Sequence, residues 1–126
     1  MAANNEYGEG RPSIPAIDAP VIIVMINKAF GHNSEFEDDV YRAARCCWVI
    51  GEEARNRAKY VLAASNGVVR GAWRIVDWMP AGDKRWRFDG MIASELAVVG
   101  TSIARIKASQ GASNPVRHFP HGIPPE

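Results

Sequence analysis

The chain is poor in the residues that build metal centres and catalytic groups. Its 126 residues include two cysteines and three histidines. Cys46 and Cys47 are adjacent, so there is no CxxC spacing and no tetrahedral sulfur site. Adjacent cysteines close a disulfide only with strained peptide geometry, and a cytoplasmic chain keeps its thiols reduced. His32, His118 and His121 are scattered, and Pro120 keeps His118 and His121 off a common helix face. No metal is expected. GxSxG, HExxH, Walker and GxGxxG patterns are missing. Glu52 and Glu53 are neighbours, which do not converge on a helix face, so they make no acid–base pair. The expectation is a protein that is not an enzyme and carries no cofactor.

Long apolar runs are missing too. The longest, Val21–Ile26, is far short of the ~20 residues that span a bilayer, so no membrane partner is expected. The first residues, MAANNEYGEGRPS, hold neither the basic stretch nor the apolar core of a signal peptide, which points to the cytoplasm.

What is present is ordinary globular material, 47% hydrophobic and 23% charged. A chain of this size buries roughly two-thirds of its surface on folding and makes one domain. The net charge of +1 is unevenly spread. Residues 1–20 and 21–44 each sum to −2, residues 45–87 hold nine Lys/Arg against four acids, and the remainder balances. A central basic segment between acidic flanks suits a local anion site better than a coat for duplex DNA.

Pro12, Pro15 and Pro20 make residues 1–20 an extended arm, and residues 120–126 an irregular tail. Residues 21–119 are then the single domain. Val21–Ile26 reads as a buried strand. Ser34 and Glu37 have capping-box spacing ahead of a helical stripe, Phe36, Val40, Ala43, Ala44 and Cys47. Asn66-Gly67 between YVLAAS and VVRGAWRIVDW predicts a hairpin with a two-residue turn. Counting outward places Ala64 opposite Val69, Leu62 opposite Gly71 and Tyr60 opposite Trp73 on a core face. Ala63 then meets Arg70, Val61 meets Ala72 and Lys59 meets Arg74 on the other. Arg85–Phe88 reads as a strand, Ala93–Val99 as a short helix, Thr101–Lys107 as strand or helix, and Asn114–Phe119 as a closing extended segment. The fold class is α+β: a small curled antiparallel sheet or β-barrel with one main helix and short additional helices.

Two features suggest binding. The hairpin face would gather Lys59, Arg70 and Arg74, joined by Arg85 and Arg87 if the third strand pairs next. Like charges held opposite one another call for an anion or solvent between them. A solvated outer face is the plainer explanation. Secondly, Trp48, Trp73, Trp78 and Trp86 alternate along the chain with arginines. Rings that stack bases and guanidinium groups that hold phosphate are the means of nucleotide and single-strand recognition. Strand phase assigns Trp73 and Trp86 to the core. Trp48 and Trp78 lie at element ends and are the better stacking candidates.

VIIVMINKAF, the stretch DDVYRAARCCWVIGEEARNRAKYVLAASNGVVRGAWRIVDWMPAG, RWRFDG and VGTSIARIKASQGASNPVRHF together resemble a little-characterised prokaryotic and phage domain associated with defence genes. Some of its architectures carry GIY-YIG nuclease domains. Its layout is similar to the PUA-like group, small β-barrels including ASCH and EVE types that bind RNA or modified bases. The chain departs from the pattern with Cys46-Cys47 before Trp48 and Ser65 before the hairpin turn. The combined expectation is a nucleotide or nucleic-acid binding module. Arg45, Trp48, Arg55, Arg57 and Trp78 would rim its pocket, and Asn114 and Arg117 would complete it. A phage protein that sequesters a cyclic nucleotide or cyclic ADP-ribose signal as a homo-oligomer is the alternative. A protein-interaction module using an exposed tryptophan is a third.

Overall fold

The computed structural model describes residues 10–26, 37–107 and 115–126. The Ser34 cap, Phe36, Asn114 and the first nine residues of the arm lie outside the described residues. The fold is α+β and sheet-dominated. Its elements are β1 Val21–Met25, α1 Glu37–Ala44, α2 Glu52–Arg57, β2 Tyr60–Ser65, β3 Val68–Pro80, β4 Trp86–Ile92, a 3-10 turn Ser94–Leu96, α3 Ala104–Lys107 and β5 Val116–Phe119. They form a five-stranded sheet of order β4-β3-β2-β1-β5. The sheet is mixed where an antiparallel one is expected, because β1 pairs parallel with β2. A parallel neighbour requires a crossover, and the stretch holding α1 and α2 supplies it.

Both faces of the sheet are buried. Ile22, Val24, Val61, Ala63, Trp73 and Phe88 form one core with Val40 and Ala44 of α1. Val21, Ile23, Leu62, Ala64, Val69, Ala72 and Phe119 form the other, covered by Ile14, Ile17, Val98, Ile103, Ile106 and Ile123. This is why Val21–Ile26 carries no alternation: a strand covered on both sides is apolar at every position. It also removes the solvated hairpin face that the alternating pattern suggests.

The hairpin turn forms as its sequence dictates, with Asn66 at φ 54° and Gly67 at φ 79°. Ala64 opposes Val69, as counting from the turn requires. Beyond that pair the register shifts by one at a bulge, so Tyr60 faces Arg74, Val61 faces Trp73 and Ala63 faces Gly71. The expected oppositions of Tyr60 with Trp73 and Lys59 with Arg74 do not occur. One extra residue, Arg70, transfers every later side chain to the other face. Trp73 therefore turns toward α1, with ring centres 5.3 Å from Tyr41 and 6.0 Å from Phe88.

The segments flanking the sheet close on each other. Ile17 and Ile123 exchange backbone hydrogen bonds at 2.9 Å each, and Ile14 donates to the Ser102 carbonyl at 2.8 Å. The Arg105 guanidinium donates to the Ile14 carbonyl at 2.6 Å and to Pro124 at 2.8 Å, clasping both segments with one side chain. Residues 10–20 and 120–126 are thus tied to their own chain through buried isoleucines.

The bulged register has a direct test at Gly71. A Cβ there would lie 2.5 Å from Trp73 Cη2 and 2.7 Å from Cζ2. Gly71→Ala must displace the indole, and overpacking of this kind costs about 1–3 kcal/mol. Urea unfolding should show that loss; an unchanged midpoint would contradict the placement of Trp73 over Gly71.

Candidate functional site

The site is built where the chain leaving α1 runs along the outer edge of β4. The Phe88 amide donates to the Arg45 carbonyl at 3.0 Å. Trp48 and Trp86 exchange backbone hydrogen bonds at 3.0 and 2.9 Å, and the Gly90 amide donates to Tyr41 Oη at 2.9 Å. Arg45 adds a bond from Nε to the Phe88 carbonyl at 3.3 Å and an ion pair with Asp89. Cys47 is exposed beyond the end of α1, so the helical stripe stops at Ala44. Cys46 and Cys47 are joined by a disulfide where free thiols are expected.

This edge brings tryptophan and arginine together. The Arg55 guanidinium carbon lies 3.7 Å from the Trp86 ring centre, while Arg55 Nη1 donates to the Ile50 carbonyl at 2.6 Å. Trp48 Nε1 donates to the Ala44 carbonyl at 2.8 Å. Arg85 reaches the Cys47 carbonyl at 3.2 Å, and Arg87 Nη2 lies 3.6 Å from the Met79 sulfur. The Trp78 ring packs against Phe88 at 5.8 Å. The Trp78 Nε1 and Arg87 Nε donors are buried with no acceptor among the described residues. Trp48, Trp78 and Trp86 are each half-buried, the state in which a ring is held by the fold and still offers area to a ligand.

Arg45, Trp48, Arg55 and Trp78 therefore assemble around one end of the β3–β4 pair, joined by Arg85 and Arg87 from the other candidate group. Trp86, expected in the core, is instead the platform under Arg55. Arg57 points to Glu53 at 3.9 Å on exposed α2. Arg117 is 2% exposed and shares the opposite face of the sheet with Ile23 and Phe119, away from this cluster. Lys59 is exposed ahead of β2. Arg74 binds Glu95 at 3.0 Å and sits over the Tyr60 ring. That contact raises the Arg74 pKa; the Glu95 carboxyl is held low by its own backbone amide and then by Arg74. The five residues of the expected basic face are thus dispersed by the bulge and by pairing. Tyr41 and Asp89 carry no local signal of their part in the edge, because their partners are distant in sequence.

Among the described residues no group of His, Cys, Asp and Glu is placed to hold a metal ion, and no helix is long and apolar enough to cross a membrane. The chain matches no protein-family model, no curated protein and no solved structure.

His118 on β5 pairs with Ile22 on the face that carries α2. Burial lowers its pKa below the ordinary 6.5; Glu53 opposes this and Arg57 adds to it. Well above 6.5 the imidazole is neutral in both folded and unfolded chains and contributes no pH dependence. Below that value the unfolded chain takes up the proton first, so stability falls with pH until the folded group also protonates. Urea midpoints at pH 7.5 and at pH 5 should differ more for the native chain than for His118→Gln. Equal losses would contradict a neutral, desolvated His118.

Proposed function

We propose that this chain is a non-catalytic module that binds single-stranded nucleic acid or a nucleotide through the tryptophan–arginine end of β3 and β4, acting in the cytoplasm. The observation that carries the reading is the stack of Arg55 on Trp86 at 3.7 Å beside half-buried Trp48 and Trp78. Indole faces held rigidly by backbone and packing contacts stack bases at little entropic cost, and guanidinium groups beside them attract phosphate. Each guanidinium has five donors in a fork, so one bond to a main-chain carbonyl leaves others for a phosphate. The sequence segments resemble a prokaryotic and phage domain whose layout is similar to the PUA-like group, many of whose members bind RNA or modified bases, and this supports the same direction.

Trp48, Trp78 and Trp86 are half-buried and Arg85 is exposed, a surface arrangement that suits a strand of nucleic acid better than a small enclosed signal molecule. A sequestering oligomer would be favoured by terminal segments that need a neighbouring subunit as cover. Residues 10–20 and 120–126 find that cover on their own chain through Ile14, Ile17 and Ile123. The nucleic-acid reading therefore stands ahead.

Titration with single-stranded oligonucleotides and, separately, with a cyclic dinucleotide tests this through tryptophan fluorescence. The oligonucleotide should quench emission, with an affinity that falls steeply as salt rises. Arg85→Ala and Trp48→Ala should each weaken binding by about 1–3 kcal/mol. Absence of binding to either probe at low salt would remove the reading, and tight binding of the cyclic dinucleotide alone would favour sequestration.

A further inference from the structure

A cleft of about 600 Å³ lies at the other end of the β3–β4 pair, where β4 stops and the chain turns through residues 93–99. Its volume is that of a small-molecule site. It exists because its walls are small: Gly71, Ala72, Ala93, Ser94 and Ala97 all line it. Ile92 and Val99, on the same wall, are 57% and 62% exposed, so apolar area faces solvent there.

Two backbone irregularities shape this cleft. The bulge in β3 falls at Arg70, which stands in the wall one residue before Gly71. Bulges re-aim side chains, and they concentrate near functional sites. On the opposite wall Ala97 holds φ 52°, a left-handed conformation that alanine adopts at a cost. Arg70 supplies the charge of the lining. Arg70 keeps a contact within the fold, while the Glu95 carboxylate is turned to Arg74 and Tyr60.

We propose that this cleft is a second ligand site, separate from the tryptophan–arginine surface, for a small amphipathic anion. An apolar ring or short chain would lie against Ile92, Val99 and the alanines, with one carboxylate, sulfonate or phosphate at Arg70. A guanidinium fork keeps a contact within the fold and still binds an acid group. The apolar body alone would be held weakly and without orientation; Arg70 supplies the orientation.

The test uses two fluorescent probes with the same rings, 1-anilinonaphthalene-8-sulfonate and its neutral analogue N-phenyl-1-naphthylamine. The folded chain should bind one sulfonate probe saturably. Arg70→Gln should weaken the sulfonate probe about tenfold or more and change the neutral probe less than about twofold. Ser94→Trp, a substitution at an exposed wall position, should block both probes. Near-UV circular dichroism of each variant establishes that it is folded, and the Ser94 variant decides the matter if the Arg70 variant is not. No saturable binding, equal loss of both probes in folded Arg70→Gln, or undiminished binding to folded Ser94→Trp would overturn the proposal. So would a concentration-dependent dimer that excludes the probe, which would assign the apolar rim to a second copy of the chain.

Discussion

Trp48 and Trp86 hold β4 by a reciprocal pair of backbone hydrogen bonds, and the arrangement of the candidate site depends on that bridge. An edge strand presents unpaired amides and carbonyls that invite association with another chain. Here the Trp86, Phe88 and Gly90 amides are taken by the Trp48 carbonyl, the Arg45 carbonyl and the Tyr41 hydroxyl. Residues 41–48 act as a cover fastened along β4. Fastening them fixes Arg45 and Trp48 against the strand, and Trp86 in turn receives Arg55. The same contacts that protect the edge therefore preorganise the ring and guanidinium groups.

The bulge at Arg70 has an equally broad effect. It moves Trp73 to the face where Tyr41 and Phe88 pack around it, and that aromatic group anchors α1 over β3 and β4. Without the shift, Trp73 would compete for space with Leu62 and Val69 on the opposite face. The cost is an interrupted ladder and a crowded Gly71. The return is a sheet with a hydrophobic core on each side.

Local physics made much of this legible. The apolar run Val21–Ile26, the Asn66-Gly67 turn and the presence of a strand at Trp86–Phe88 each follow from steric or periodic rules within a few residues. The parallel β1–β2 pairing was not legible, because nothing in either strand says which way its neighbour runs. Nor was the bulge, which accompanies the seating of Trp73 over Gly71, a contact that appears only once the strands and helix are in place. Ile14, Ile17 and Ile123 lie among prolines that mark irregular chain, yet irregular backbone can still bury side chains when its amides find partners. The mixture of tryptophan and arginine was visible as composition. Its gathering at one end of β3 and β4, and the exclusion of buried Arg117 from it, required the three-dimensional pairing.

The central claim is that residues 41–48 close the β4 edge and thereby position the candidate site. Amide hydrogen exchange measured residue by residue by NMR tests it most directly. The account predicts that the Trp86, Phe88 and Gly90 amides exchange as slowly as those of the interior strand β2, and that Tyr41→Phe selectively frees Gly90. Fast exchange at all three amides in the native chain, as expected of an uncovered edge, would contradict it.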